Sequence, residues 1–201
     1  MEKYKKIALI LSYFTVMYNL VEGILSIIAG YLSGSSALIG FAFDSLIESL
    51  SGLIMIWRFS YIKKDIDVAK EEIIEKRAEI FVGITFFILC FYVLYEALEK
   101  LIFKIYVKPS LLGIVIAFAS IIFMPILFFI KYKVGKILGS KALIADSKET
   151  LACSFLSLIL LFGLLFNYLF LKPQADSFAA IIIVIYLFKE GYSTIREALE
   201  K

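Results

Sequence analysis

The 201-residue sequence contains no histidine, two cysteines and three prolines. Without histidine, the chain lacks the commonest ligand of transition metals and the side chain that most readily exchanges protons near neutral pH. Cys90 and Cys153 both lie within apolar stretches and do not form a C-x-x-C pair, so their spacing does not indicate a disulfide framework. Any metal or proton chemistry must therefore use carboxylates, with a thiolate as the further option.

Apolar residues dominate what is present. Hydrophobic residues make up 62% of the chain and the mean hydropathy is +0.93, whereas soluble domains are close to half apolar. Strands are not predicted, because the apolar runs are too long and lack alternation. Six segments have the length of a membrane span: about 6–31, 36–60, 78–103, 109–131, 142–171 and 175–192. The sequence therefore predicts an all-α membrane protein with six transmembrane helices in one domain, residues 1–201.

The charged residues lie mainly between the apolar segments. The net charge is +3, and the basic residues form no patch with interleaved aromatic residues, so no nucleic-acid binding is predicted. No nucleophile–base pair indicates an enzyme. The distribution of Lys and Arg predicts that both termini are cytoplasmic. This prediction counts Lys131 among the lysines of a cytoplasmic connection. The mixed-charge connection 61–77 is read as a loop with a short helix on the membrane surface.

Two stretches about a hundred residues apart begin in the same way. Residues 34–39 read Gly-Ser-Ser-Ala-Leu-Ile, and residues 139–144 read Gly-Ser-Lys-Ala-Leu-Ile. When they are aligned without a gap, an acid of the second span falls on an acid of the fifth. In the predicted orientation these two spans run in opposite directions. The sequence thus predicts an inverted repeat of spans 1–3 and 4–6, an arrangement with which several transporters build a site at the bilayer midplane.

The polar residues of these two spans form the candidate site. Asp44 and Glu48 are four residues apart, which places them on one helix face with Cβ atoms about 5–6 Å apart. Glu149 and Cys153 have the same spacing in the fifth span. An isolated ionised carboxylate in mid-bilayer costs about 2.5–3.5 kcal/mol on insertion scales, and a divalent cation between the helices would offset this cost. Four oxygen and sulfur ligands suit tetrahedral Zn²⁺, with Cd²⁺, Co²⁺, Fe²⁺ or Mn²⁺ as alternatives.

Each candidate also has a simpler interpretation. The acids are alternatively protonated or hydrogen-bonded to neighbouring helices, and a lone buried Cys153 is commonly a packing residue. Asn19 and Glu22 in the first span have two equally supported interpretations. Either they lie behind the ligands or along a polar pathway, or they form hydrogen bonds between helices. Asp146 is interpreted as lining the entrance, nearer the cytoplasmic end than Glu149.

The motifs resemble those of a known family. Residues 36–48, a small Ser-rich turn followed by Asp44-x-x-x-Glu48, resemble the D-x-x-x-D signature of the cation diffusion facilitators. Residues 145–153, Ala-Asp-x-x-Glu-x-x-x-Cys, resemble that family's A-D-x-x-H-x-x-x-D. Asn19 and Asp176 resemble residues of its first and last spans, so the resemblance covers nearly the whole chain.

The resemblance implies a six-helix bundle, usually dimeric, that exports Zn²⁺ or a similar ion against protons. Three positions depart from the family pattern: Glu48 and Cys153 replace aspartates, and Glu149 stands where the family has His or Asp. Because the sequence ends at Lys201, it resembles a short branch that lacks the family's cytoplasmic C-terminal domain.

The sequence therefore predicts a multi-pass membrane protein that transports a divalent transition metal, foremost Zn²⁺, by proton-coupled efflux through a midplane site between spans 2 and 5. One alternative is a zinc-binding membrane protein or regulator that does not transport. A weaker alternative is a transporter of organic cations, against which the thiol of Cys153 argues. The expected partners are a divalent metal ion, protons, the lipid bilayer and a second copy of the chain.

Overall fold

The computed structural model describes residues 2–61, 68–103, 105, 107–170, 172 and 174–200. These residues form six α-helices, and no strand occurs among them, which confirms the all-α prediction. The helices are α1 (Glu2–Ser33), α2 (Ser36–Tyr61), α3 (Val68–Phe103), α4 (Leu111–Leu138), α5 (Lys141–Phe170) and α6 (Gln174–Glu200).

Several helices extend beyond their predicted bounds, and the differences at α3 and α4 are the most informative. α3 begins at Val68 rather than near residue 78, so the surface helix predicted for the connection is wrong for residues 68–77, which form the first turns of α3. This stretch contains neither Gly nor Pro and consists mostly of good helix formers, so nothing interrupts it. Residues 62–67 of the same connection lie outside the described residues. α4 continues past its predicted end at Lys131 to Leu138.

Four helical segments in the described part of the chain are long and apolar enough to cross a membrane. They are Glu2–Ser33, Ser36–Trp57, Leu111–Leu138 and Ala142–Phe170. They belong to α1, α2, α4 and α5, which also contain the two repeated stretches. That α3 and α6 cross as well, completing six spans, stays a prediction.

The polarity of α1 is the reverse of that in a soluble helix. Its buried positions recur every three or four residues, and many are polar: Ser12, Thr15, Asn19, Glu22, Ser26 and Ser33. Its exposed positions include large apolar side chains: Tyr13, Met17, Val21, Ile24 and Ile28. A helix with polar groups inside and apolar groups outside suits lipid rather than water as its surroundings.

The two repeated stretches form the same turn. Gly34 and Gly139 both adopt the left-handed conformation, with φ of 72° and 65°, which glycine adopts without steric penalty. The following serines, Ser35 and Ser140, each donate a backbone N–H to the carbonyl of the glycine five residues earlier, at 3.0 Å in both turns. Their hydroxyls each accept the backbone N–H three residues later, at 3.0 and 3.3 Å, and so cap α2 and α5. The sequence repeat is therefore also a structural repeat.

Each turn joins two helices that approach closely. A Cβ atom at Gly30 would lie 2.8 Å from the Ile39 side chain, and one at Gly135 would lie 2.9 Å from Ile144. These glycines occupy equivalent positions in the repeat, and the missing side chains let each helix pack against its partner. α1 packs along α2, α4 along α5 and α3 along α6. The first two pairs meet through α1–α4 and α2–α5 contacts, which bring the acid-bearing faces of α2 and α5 together.

Candidate functional site in the helix bundle

Asp44 and Glu48 lie buried on α2, where it contacts α5. The hydroxyl of Thr150 on α5 donates to Glu48 Oε1 at 2.6 Å, so this carboxylate points across the helix interface. Cys153 is one turn further along α5 and is only 2% exposed. Its thiol lies beside the Asp44 carboxylate. The two equivalent positions at the end of the repeated motif, Glu48 and Cys153, are therefore both inside the α2–α5 contact.

Glu149, the fourth predicted ligand, is half-buried on α5. Across the described residues, no three Asp, Glu or Cys side chains converge closely enough to hold a metal ion in this conformation. The four residues thus occupy facing helices without forming a closed coordination site. Their role as metal ligands stays a prediction.

A second polar layer lies on α1. Asn19 and Glu22 are buried, and the hydroxyl of Ser45 on α2 donates to Glu22 Oε2 at 2.9 Å. Glu22 Oε1 and both side-chain amide atoms of Asn19 are buried without a hydrogen-bond partner among the described residues. Buried polar atoms are normally paired, so unpaired ones inside a membrane bundle are typical of a pathway for water or ions. Asn19 and Glu22 therefore lie in the polar interior and not at a lipid-facing surface.

Lys131 is the charged residue that the sequence interpretation misplaced. It is fully buried on α4, about two turns before that helix ends, and does not belong to a cytoplasmic connection. Its Nζ atom lies 2.9 Å from Asp146 Oδ2 and 4.0 Å from Glu48 Oε1. It also donates to the hydroxyl of Thr150 at 2.9 Å. The hydroxyl of Thr150 therefore bridges Lys131 of α4 and Glu48 of α2.

The sequence repeat could have predicted that Lys131 lies within α4. α1 ends at Ser33, immediately before Gly34, so the equivalent glycine predicts that α4 ends at Leu138, immediately before Gly139. Lys131 would then lie inside the helix. The positive-inside rule assigned it to the connection because it opens a run of closely spaced lysines.

Asp146 is buried between α2, α4 and α5. Its Oδ1 atom accepts from the hydroxyl of Ser51 at 3.3 Å, and its Oδ2 atom faces Lys131. The predicted entrance residue is thus held by a serine of α2 and a lysine of α4. A cation that reaches the α2–α5 contact from this end of the bundle would first meet a carboxylate already paired with an ammonium group.

Asp176, at the start of α6, is fully buried and serves the fold at the opposite end of α2. It accepts from the Ser35 hydroxyl and, at 3.0 Å, from the backbone N–H of Ser36. Lys100 of α3 donates to the Ser36 hydroxyl at 2.6 Å. These bonds connect the α1–α2 turn with α3 and α6, and they hold the start of the acid-bearing helix in place.

A helical bundle with a polar, acid-containing interior and an apolar exterior is a multi-pass integral membrane protein. Residues 12–201 match the family model described as the cation efflux transmembrane domain. The chain therefore belongs to the cation efflux family, which confirms the resemblance based on the motifs of α2 and α5.

Two curated relatives are similar to most of the chain. It is 28% identical to Transmembrane protein 163 of Xenopus laevis over 152 residues, which are 75% of this chain and 52% of that protein. It is 26% identical to an uncharacterized transporter of Methanocaldococcus jannaschii over 181 residues, which are 89% of this chain and 64% of that protein. The chain spans less than two thirds of the length of either relative.

Proposed function

We propose that the protein transports a divalent transition-metal cation, with Zn²⁺ as the preferred substrate, through a site between α2 and α5. One observation carries this proposal: the buried acids Asp44 and Glu48 face a helix that presents the buried thiol Cys153, in a chain of the cation efflux family. Oxygen and sulfur together suit Zn²⁺ better than they suit the hard ions Mg²⁺ or Ca²⁺.

Proton coupling follows from the type of ligand. Carboxylates and thiols must lose their protons to bind a metal, so protons and metal compete for the same atoms. A proton entering the site from one side of the membrane then helps to release the metal there. The repeated hairpins α1–α2 and α4–α5 are the bodies that would rock against one another around the site. The proposal includes six membrane-crossing helices, an inverted repeat and both termini in the cytoplasm. The homodimer that the family resemblance implies stays a prediction.

A second candidate is a membrane protein that binds the cation but does not transport it. The observation that favours it is the pairing of Glu48 and Asp146 with Lys131, because an internal cation can stabilise these acids without any substrate. Such a protein would act as a sensor or as a regulator of a partner.

Flux into proteoliposomes separates these functions. The full chain is reconstituted and the uptake of Zn²⁺, Mn²⁺ and Fe²⁺ is compared with and without a pH gradient. We expect gradient-driven Zn²⁺ uptake, which Asp44→Ala abolishes because one buried ligand is lost. Glu99→Gln is the matched control, because Glu99 is a half-buried acid near the far end of α3. Zn²⁺ binding without uptake would establish the second candidate. Uptake of organic cations in the absence of Zn²⁺ binding would refute both.

A further inference from the structure

Lys131 is the only fully buried basic side chain in the part of the chain that the structure describes. A lysine inside a membrane bundle is costly, and such residues commonly mark ion pathways. The cost is offset here by three contacts made at one end of the α2–α5 interface. The ammonium group faces Asp146 at 2.9 Å and Glu48 at 4.0 Å, and it donates to Thr150 at 2.9 Å.

The position of the ammonium group conflicts with a metal ion on Glu48. A carboxylate oxygen binds Zn²⁺ at about 2 Å. An ion on Glu48 Oε1 would therefore lie within roughly 6 Å of Lys131 Nζ, and two cations this close in the buried interior repel each other. Thr150 adds to the conflict, because its hydroxyl already donates to the same Glu48 oxygen at 2.6 Å.

We propose that Lys131 is a tethered substitute cation. It supplies one positive charge to Glu48 and Asp146 when the site holds no substrate, and it withdraws from Glu48 when a divalent cation binds there. Because this inference assigns a role within the α2–α5 site, it rests on the proposed function. The side chain is suited to this role, since an ammonium group on a flexible four-carbon stem can leave a carboxylate without moving the helix.

The exchange also explains how the site would discriminate by charge. A monovalent cation that displaced Lys131 would replace one positive charge with another and gain nothing in electrostatic attraction. A divalent cation adds a charge and so is the kind of ion that can displace the lysine. Lys131 would thus lower the affinity for every cation and exclude monovalent cations more strongly than divalent ones.

Equilibrium binding of radioactive Zn²⁺ to the full chain in nanodiscs tests the proposal. Lys131→Met removes the competing charge and keeps the length of the side chain. We expect it to bind Zn²⁺ at least about tenfold more tightly than the natural protein, within the usual range of coupling between two ligands. Excess Na⁺ should compete with Zn²⁺ in this variant only. Lys133→Met is the control, because Lys133 is exposed on the same helix, and its affinity should stay within about twofold of the natural value.

A second variant covers the case in which Lys131→Met does not fold. Thr150→Val keeps the shape of the side chain and removes the hydroxyl that joins Lys131 to Glu48. It should tighten Zn²⁺ binding by about threefold. Unchanged or weaker binding in whichever variant folds would overturn the role of Lys131, while Zn²⁺ uptake by the natural protein would leave the proposed function intact. Absence of Zn²⁺ binding in the natural protein and in the variants would overturn both.

Discussion

The ion pair between Lys131 and Asp146 provides a quantitative test of the buried charge cluster. Both side chains are almost completely buried, at 0% and 1% exposure, and the charged atoms are 2.9 Å apart. The informative perturbation is Asp146→Asn, which removes the negative charge and keeps the shape of the side chain. The lysine would keep the Thr150 hydroxyl and Glu48, which is 4.0 Å away.

The expected loss follows from these contacts. Removing one partner of a buried ion pair commonly costs about 3–5 kcal/mol, because the other charge is left uncompensated. Here Glu48, 4.0 Å from the ammonium group, still compensates the lysine in part, so the loss should fall below that range. We therefore expect Asp146→Asn to lower the free energy of unfolding by about 2 kcal/mol. Lys131→Met should cost a similar amount, and the double variant about as much as either single one.

The measurement is a double-mutant cycle in mixed micelles. Unfolding is induced by titration with SDS in the presence of a chelator and followed by the fluorescence of Trp57, the single tryptophan of the chain. The expected coupling energy is about 2 kcal/mol. The Glu96–Lys100 pair on α3 is the matched control: its atoms are 2.6 Å apart but its side chains are more exposed, so its coupling should stay below about 1 kcal/mol. Additive effects at Lys131 and Asp146 would refute the buried ion pair.

Three further predictions address the metal, the proton and the turns. Cys153→Ser should weaken Zn²⁺ and Cd²⁺ binding about tenfold and Mn²⁺ binding far less, since a thiolate is a soft ligand; equal losses for all three ions in equilibrium dialysis would remove Cys153 from the site. Zn²⁺ binding should weaken as the pH falls, because the ligands bind metal only when deprotonated; calorimetry in buffers of different ionisation enthalpy counts the protons released, and a count of zero across roughly pH 6–8 would contradict antiport. Gly34→Ala and Gly139→Ala should each lower the free energy of unfolding by about 1 kcal/mol, because an added Cβ atom meets nothing within 4 Å and only the left-handed backbone is penalised. Gly30→Ala should cost more in the same titration, because its Cβ atom would lie 2.8 Å from the Ile39 side chain and 3.3 Å from the Ile39 backbone nitrogen, which cannot rotate away.

The fold was predictable where local sequence determines it, as in the apolar runs and the repeated turns. Six apolar runs of bilayer length predict six helices, and α2 and α5 begin where the repeated glycine and serine residues place them. The start of α3 was mispredicted because charged residues 68–77 were read as a loop, although charged residues such as Glu and Lys are good helix formers. Composition therefore predicted the segments better than it predicted their ends.

The candidate site was predictable only in part. The spacing of Asp44 and Glu48 places both on one face of α2, and the repeat indicated that α5 is the helix opposite. The position of Lys131 depends on contacts that α4 makes both with α5, its hairpin partner, and with α2, which lies far from it in the sequence. A hydropathy pattern reports only where a charge lies along the chain, so it did not indicate that this lysine turns inward to Asp146.

The hairpin α4–α5 also affects how the chain enters the bilayer. Lys131 and Asp146 belong to the same hairpin and flank the tight turn at Gly139. Each charge costs about 2.5–3.5 kcal/mol in lipid when it enters alone, and a hairpin that integrates as a unit carries both as a pair. Glu48, in contrast, belongs to the earlier hairpin and must wait for Lys131 to arrive with α4. The order of synthesis thus leaves Glu48 without this lysine until the second hairpin inserts, so only the docking of the two hairpins brings Glu48 to its 4.0 Å distance from Lys131.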